Sequence, residues 1–148
     1  MALKTDAVGK SWPTHEYEVG REKIREYAQV IGLDNPVYFD VEAAQAEGFR
    51  NMVAPPMFVV VYAAWAMGPV LFDPEVAMNF AAMVHGAQEF EWGEPVCSGD
   101  LISTVATCKD IYPKDGKGFY IFETESRNQD GDLVCKATWT NIVRGIDQ

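Results

Sequence analysis

The sequence is poor in the side chains that do most chemistry near neutral pH. It has 2 His and 3 Cys among 148 residues. Cys97, Cys108 and Cys135 are odd in number and widely spaced, no C-x-x-C pair occurs, and neither His completes a zinc spacing. A zinc module and a disulfide framework are therefore not expected, and reduced thiols in a cytoplasmic protein are the simplest reading. Positive charge is also scarce. Lys plus Arg is 12 against 22 Asp plus Glu, a net charge of −10. Nucleic acid and anionic membrane are poor partners for such a surface, because affinity for phosphate depends on cationic side chains. A long hydrophobic run is missing as well. No charge appears from Asn51 to Phe72, but Pro55-Pro56 and Gly68-Pro69 interrupt the stretch. The unbroken part, Met57–Met67, falls far short of the roughly 20 residues a membrane span needs. The opening Met-Ala-Leu-Lys-Thr-Asp has no apolar run or cleavage pattern, so no secretion signal is expected. Repeats, low-complexity tracts and linkers are absent too, which argues for one domain over residues 1–148.

What is present divides into two halves. In Gly20–Ile31, the residues Ile24, Tyr27, Ala28 and Ile31 recur at helical spacing, with Arg21, Glu22, Arg25 and Glu26 on the other side. Gly32 should end this helix, and Leu33-Asp34-Asn35-Pro36 reads as a turn. Val41–Glu47 predicts a second short helix closed by Gly48, with Asp40 and Glu42 as acids at its N-terminus. Pro56 then opens a third helix, apolar on all sides and expected to be buried. The second half is rich in β-branched and aromatic residues over Val84–Trp92, Leu101–Tyr112, Phe119–Asn128 and Leu133–Val143. Gly99-Asp100, Lys114-Asp115-Gly116-Lys117 and Gln129-Asp130-Gly131-Asp132 bound these strands as hairpin-type turns. Tyr17–Val19 supplies one further short strand. Helices first and antiparallel strands after predict an α+β fold, with a curved sheet wrapped around one buried apolar helix.

The run Tyr27-Ala-Gln-Val-Ile-Gly-Leu-Asp34-Asn35-Pro36-Val37-Tyr38-Phe39-Asp40, followed by Ala43-Ala44 and Gly48-Phe49, resembles the hydratase motif of MaoC-like hot-dog proteins. Val53-Ala54-Pro55-Pro56-Met57, Val84-His85-Gly86-Ala87-Gln88-Glu89-Phe90-Glu91-Trp92 and Pro95 to Gly99-Asp100 extend the likeness over nearly the whole chain. It is most similar to the N-terminal-type dehydratase domain known from accessory subunits of mycobacterial-type (3R)-hydroxyacyl-acyl carrier protein dehydratases. The resemblance implies a hot-dog fold and hydration of enoyl thioesters, or the reverse dehydration. It also implies a catalytic Asp, a His four residues later, and a backbone N–H that receives the thioester oxyanion. Adding water to the double bond needs a base and an acid, and the charge that builds on the thioester oxygen needs preorganised donors.

Asp34 stands at the position of the family's Asp, but Tyr38 stands where active members carry His. A phenol with an ordinary pKa near 10 is a poor base at neutral pH. Pro55-Pro56 stands where they carry a His-Gly pair. Pro56 has no N–H, so that oxyanion donor cannot exist. The expectation is an accessory subunit that pairs with a catalytic hot-dog partner, or forms a homodimer, and shapes the acyl site for acyl-CoA or acyl-carrier-protein thioesters. No cofactor or metal is called for. Substrate-binding candidates are Asp34, Asn35, Tyr38, Pro56, Met57, Tyr62 and Trp65. Two alternatives stand beside this reading. One is a self-sufficient hydratase using Asp34 with His85 or Tyr38. The other is a module that binds an acyl thioester or steroid-like ligand without turnover. Strand alternation puts His85 on a polar face with Ala87, Glu89 and Glu91, and His15 is expected at the surface. Gly99-Asp100 is read as structural.

Overall fold

A computed structural model describes residues 2–146. Strand β1 (His15–Glu18) leads into α1 (Arg21–Val30), and α2 (Val41–Ala46) and α3 (Val59–Leu71) follow. Strands β2 (Met83–Trp92), β3 (Leu101–Lys114), β4 (Lys117–Arg127) and β5 (Leu133–Arg144) complete the chain. The strands form one antiparallel sheet in the order β1-β3-β4-β5-β2. The α+β arrangement of a curved sheet against α3 is the expected one.

Local sequence explains most boundaries. Gly32, at φ +77°, ends α1 in a left-handed conformation, and the Leu33 N–H donates back to the Ala28 carbonyl. The Asn35 side chain caps the 3-10 turn Pro36–Tyr38 by accepting from the Val37 N–H at 3.2 Å. Asp40 caps α2 by accepting from the Glu42 N–H at 3.1 Å. Asp115 and Gly116, both at positive φ, make the tight β3–β4 turn. Along β4 the period of two buries Gly118, Tyr120, Phe122, Thr124 and Ser126 against the helix side. In β3 the same period holds from Ile102 to Cys108, and a register shift before Asp110 then turns Ile111 inward. On the inner face Thr104 pairs with Ser126 at 2.8 Å, and Thr124 accepts from the Trp139 indole N–H at 2.8 Å.

Five expectations need correction. The third helix does not stop at Met67. It starts with the 3-10 turn Pro56–Phe58 and runs through Gly68-Pro69 to Leu71. Pro69 lies on the exposed side, where water can take the carbonyl its missing N–H leaves free. Nor is α3 buried all round. It packs over β1, β3 and β4 through Val59, Tyr62, Ala63, Ala66, Met67 and Val70, while Trp65 is 63% exposed. Gly99-Asp100 is not a hairpin turn, since β2 pairs with β5 across the sheet and β3 with β1. Asp100 is instead a buried structural group, as expected. His85 faces the other way. Its Cα partner is Asn141, the next pair is Ala87 with Thr140, and Gly86 is the extra residue of a bulge. The bulge inverts the alternation, so His85 joins Gln88, Phe90 and Trp92 and lies edge-on to Trp139 at 6.2 Å. Finally, the first strand is His15–Glu18 and not Tyr17–Val19, and His15 is half-buried opposite Thr104.

Candidate functional site

Two chain segments lie side by side at one end of the sheet and form the walls of a pocket. The first is Val53-Ala54-Pro55-Pro56, the lead-in to α3. The second is Trp92-Gly93-Glu94-Pro95-Val96, which begins at the last residue of β2. They are joined by the Ala54 N–H to the Val96 carbonyl at 2.8 Å and by an isolated bridge between Val53 and Cys97. Tyr38, Phe49, Tyr62 and Val134 complete the lining of a cavity of about 320 Å³. That volume is at the lower end of the range of small-molecule pockets.

An ion pair between buried Asp100 and half-exposed Arg50 holds the second wall. Asp100 is 1% exposed and accepts both Arg50 guanidinium nitrogens, at 2.7 and 3.0 Å. It also accepts the Cys97 N–H at 2.9 Å and the Gln129 amide at 3.0 Å. Burial pushes this carboxyl up, but the bonds from Arg50, Cys97 and Gln129 outweigh it and hold the pKa below the ordinary 3.8. A polar hollow lined by Arg50, Asn128, Asp130 and Asp132 adjoins the pocket across Phe49, Glu94 and Pro95.

Six of the main-chain donors around the pocket are already committed. Val53 donates to Val37, Ala54 to Val96, Tyr38 to Asn35, Phe49 to Ala44, Gly93 to Val134 and Glu94 to Leu133. Pro55, Pro56 and Pro95 have no N–H to offer. No imidazole lines the cavity. Glu94 supplies its carboxylate, and Tyr38, Tyr62 and Trp92 supply its neutral polar groups.

Of the residues singled out from sequence, Tyr38, Pro56 and Tyr62 meet in this lining. Asp34 is exposed in the preceding loop, and Asn35 spends its side-chain oxygen on the turn cap. Met57 is exposed, with its carbonyl accepting from the Tyr27 hydroxyl at 3.1 Å. Trp65 points out from α3. His85 sits at the opposite end of β2 from Trp92, on the order of 20 Å away at the rise of a strand. The geometry therefore does not place His85 at the pocket. Sequence reasoning missed Phe49, Trp92 and the Glu94-Pro95-Val96 wall. No local signal marks this wall, since only the strand order brings it beside Pro55-Pro56. Among the described residues, no group of three or more His, Cys, Asp or Glu side chains is placed to share a metal ion.

Fold and site together define a hot-dog domain of the dehydratase and hydratase class. Residues 6–137 match the profile of the FAS1-like dehydratase domain region, and the chain belongs to that family. It is 40% identical to the UPF0336 protein SCO4636 of Streptomyces coelicolor over 144 residues, covering 97% of this chain and 95% of that protein. Among solved structures it is similar to the HadBC (3R-hydroxyacyl-ACP dehydratase) complex from Mycobacterium tuberculosis. The TM-score is 0.83 at 30% identity, over 95% of this chain and 99% of that one. The ChsH1-ChsH2 complex from the same organism shares the fold, with a TM-score of 0.73 at 21% identity over 93% of this chain and 86% of that one. No helix among the described residues is long and apolar enough to cross a membrane.

Proposed function

We propose that the chain is the accessory subunit of a (3R)-hydroxyacyl-thioester dehydratase, or enoyl-thioester hydratase, and shapes the acyl site for a catalytic hot-dog partner. The observation that carries this reading is the state of the pocket's donors. Its named main-chain N–H groups are bonded elsewhere, three of its residues are prolines, and it has no imidazole. A missing oxyanion donor costs about 10²–10³ in rate, and a missing general acid or base about 10²–10⁴. The pocket lacks an imidazole and the N–H that Pro56 removes, and it keeps an apolar wall that suits an acyl chain. Assembly with a hot-dog partner is supported by the HadBC and ChsH1-ChsH2 neighbours, each described as a complex.

The test is hydration of a short enoyl thioester, carried on coenzyme A or on acyl carrier protein. The purified chain is expected to give only the background rate, and co-expression with a catalytic hot-dog subunit is expected to bring turnover. Brisk turnover by the chain alone, abolished by Asp34→Asn, would overturn the proposal in favour of a self-sufficient hydratase.

A further inference from the structure

The pocket keeps one enclosed donor that its walls do not use. Tyr62 projects from α3, is 2% exposed, and lines the cavity between the two walls. Its ring is fixed by Phe58, with centroids 6.2 Å apart. The neighbouring phenol, Tyr27, is satisfied by the Met57 carbonyl. Among the described residues, the fully enclosed side-chain polar atoms that lack a partner are those of Gln88. The Tyr62 hydroxyl is not one of them, and among the described residues no other side chain or carbonyl takes its proton. It therefore meets the open space of the pocket it lines.

We infer that Tyr62 is the polar anchor of this pocket, its hydroxyl donating a hydrogen bond to an uncharged oxygen on an otherwise apolar ligand. The inference rests on the pocket being an acyl site, as proposed above, and adds the chemistry it selects. Burial raises the Tyr62 phenol well above its ordinary pKa of 10, so it remains a donor throughout the physiological range. A plain hydrocarbon chain in the cavity would strip water from this hydroxyl and return nothing, which is unfavourable. A carbonyl or hydroxyl oxygen at the same place restores the bond. A carboxylate or phosphate is disfavoured by Glu94 in the lining and by a chain charge of −10. The selected class is thus an acyl chain with an uncharged oxygen, either the thioester carbonyl itself or a ketone or hydroxyl further along.

The experiment is calorimetric titration of the full chain with probes of matched length: a terminal alkene, a methyl ketone and a short-chain acyl thioester of N-acetylcysteamine. Wild type is expected to bind the oxygenated probes about tenfold more tightly than the alkene, the ratio one net hydrogen bond supports. Tyr62→Phe is expected to remove that preference while leaving alkene affinity equal or higher. Loss confined to the thioester assigns the anchored oxygen to the thioester. Loss for the ketone as well assigns it to any carbonyl in reach. Thermal melting of Tyr62→Phe at or above wild type excludes misfolding as the cause. An unchanged ratio in a folded Tyr62→Phe would overturn the Tyr62 assignment alone. Failure of wild type to bind any probe would overturn the acyl-site reading and the anchor with it.

Discussion

Replacing Asp100 by Ala tests how the pocket wall is held. The carboxylate takes two bonds from Arg50, one from the Cys97 N–H and one from Gln129. Removing it leaves the Cys97 N–H buried without an acceptor, a cost of about 1–3 kcal/mol. The Arg50 side chain is 52% exposed and can return to water, so its lost bonds add only on the order of 1 kcal/mol. The expected destabilisation is about 3 kcal/mol, or a fall of roughly 6–12 °C in Tm for a chain of this size. Urea denaturation should show it, and hydrogen exchange should locate it. Amides of Ala54 and Ser98, which tie the two segments, and of Cys97, which is bonded to Asp100, are expected to exchange faster than the global change explains. The pH dependence has a fixed sign. Asp100 titrates below its ordinary 3.8 in the folded state, so its contribution is complete above that value and is lost as pH falls through the depressed pKa. Arg50→Ala removes the strongest of the bonds that lower it and should start the acid loss at higher pH. An Asp100→Ala protein within about 0.5 kcal/mol of wild type, with unchanged Cys97 exchange, would refute the account.

At Gly93 an added Cβ would lie 2.0 Å from the Leu133 carbonyl oxygen, so Gly93→Ala is expected to cost about 3 kcal/mol in urea denaturation. At Gly86 the same atom meets the mobile end of Ile142, and Gly86→Ala should cost only about 1 kcal/mol in the same assay. Burial pushes the Cys108 and Cys135 thiols up to about 11. At pH 8 an aromatic disulfide reagent should leave both unlabelled in the folded protein and label them in urea. Trp65→Ser should change stability by no more than about 0.5 kcal/mol, because the ring is mostly in water.

The helices and strands were legible because each carries its own local signal. Gly20–Ile31 has the helical period and a glycine stop, and β4 alternates strictly from Gly118 to Ser126. The fate of His85 was not legible. Nothing in Val84-His85-Gly86-Ala87 announces a bulge, and one extra residue is enough to turn His85 to the other face. The end of α3 was misjudged because Gly68-Pro69 is a strong stop signal in isolation. The helix continues because Val70 packs into the core beyond it while Pro69 faces out. The pocket was half legible. Tyr38 and Pro56 stand in a recognisable motif, but Trp92 and Glu94 reach them only through the crossing of β2 to the edge beside β5.

The bonds that hold the pocket's first wall also occupy its main-chain donors. Each N–H that ties the Val53–Pro56 wall to Val96 or Val37 is an N–H withdrawn from a reacting oxygen. Each proline that removes a donor also fixes the backbone before α3. A wall built this way presents a preset apolar shape and loses little entropy on binding, yet its Val53 and Ala54 N–H groups have nothing to offer a developing oxyanion. Restoring the donor alone should therefore not restore turnover. Pro56→Gly is expected to cost about 1 kcal/mol through the unfolded chain and to leave enoyl-thioester hydration by the lone chain at background. Its new N–H would face a pocket that still has no imidazole, with Asp34 still outside the lining. Pro56→Gly with Tyr38→His supplies both missing groups and should give weak but measurable turnover. A gain of about 10²-fold from Pro56→Gly by itself would show that one donor was all the site lacked, and that the rest of the catalytic apparatus had been present on this chain throughout.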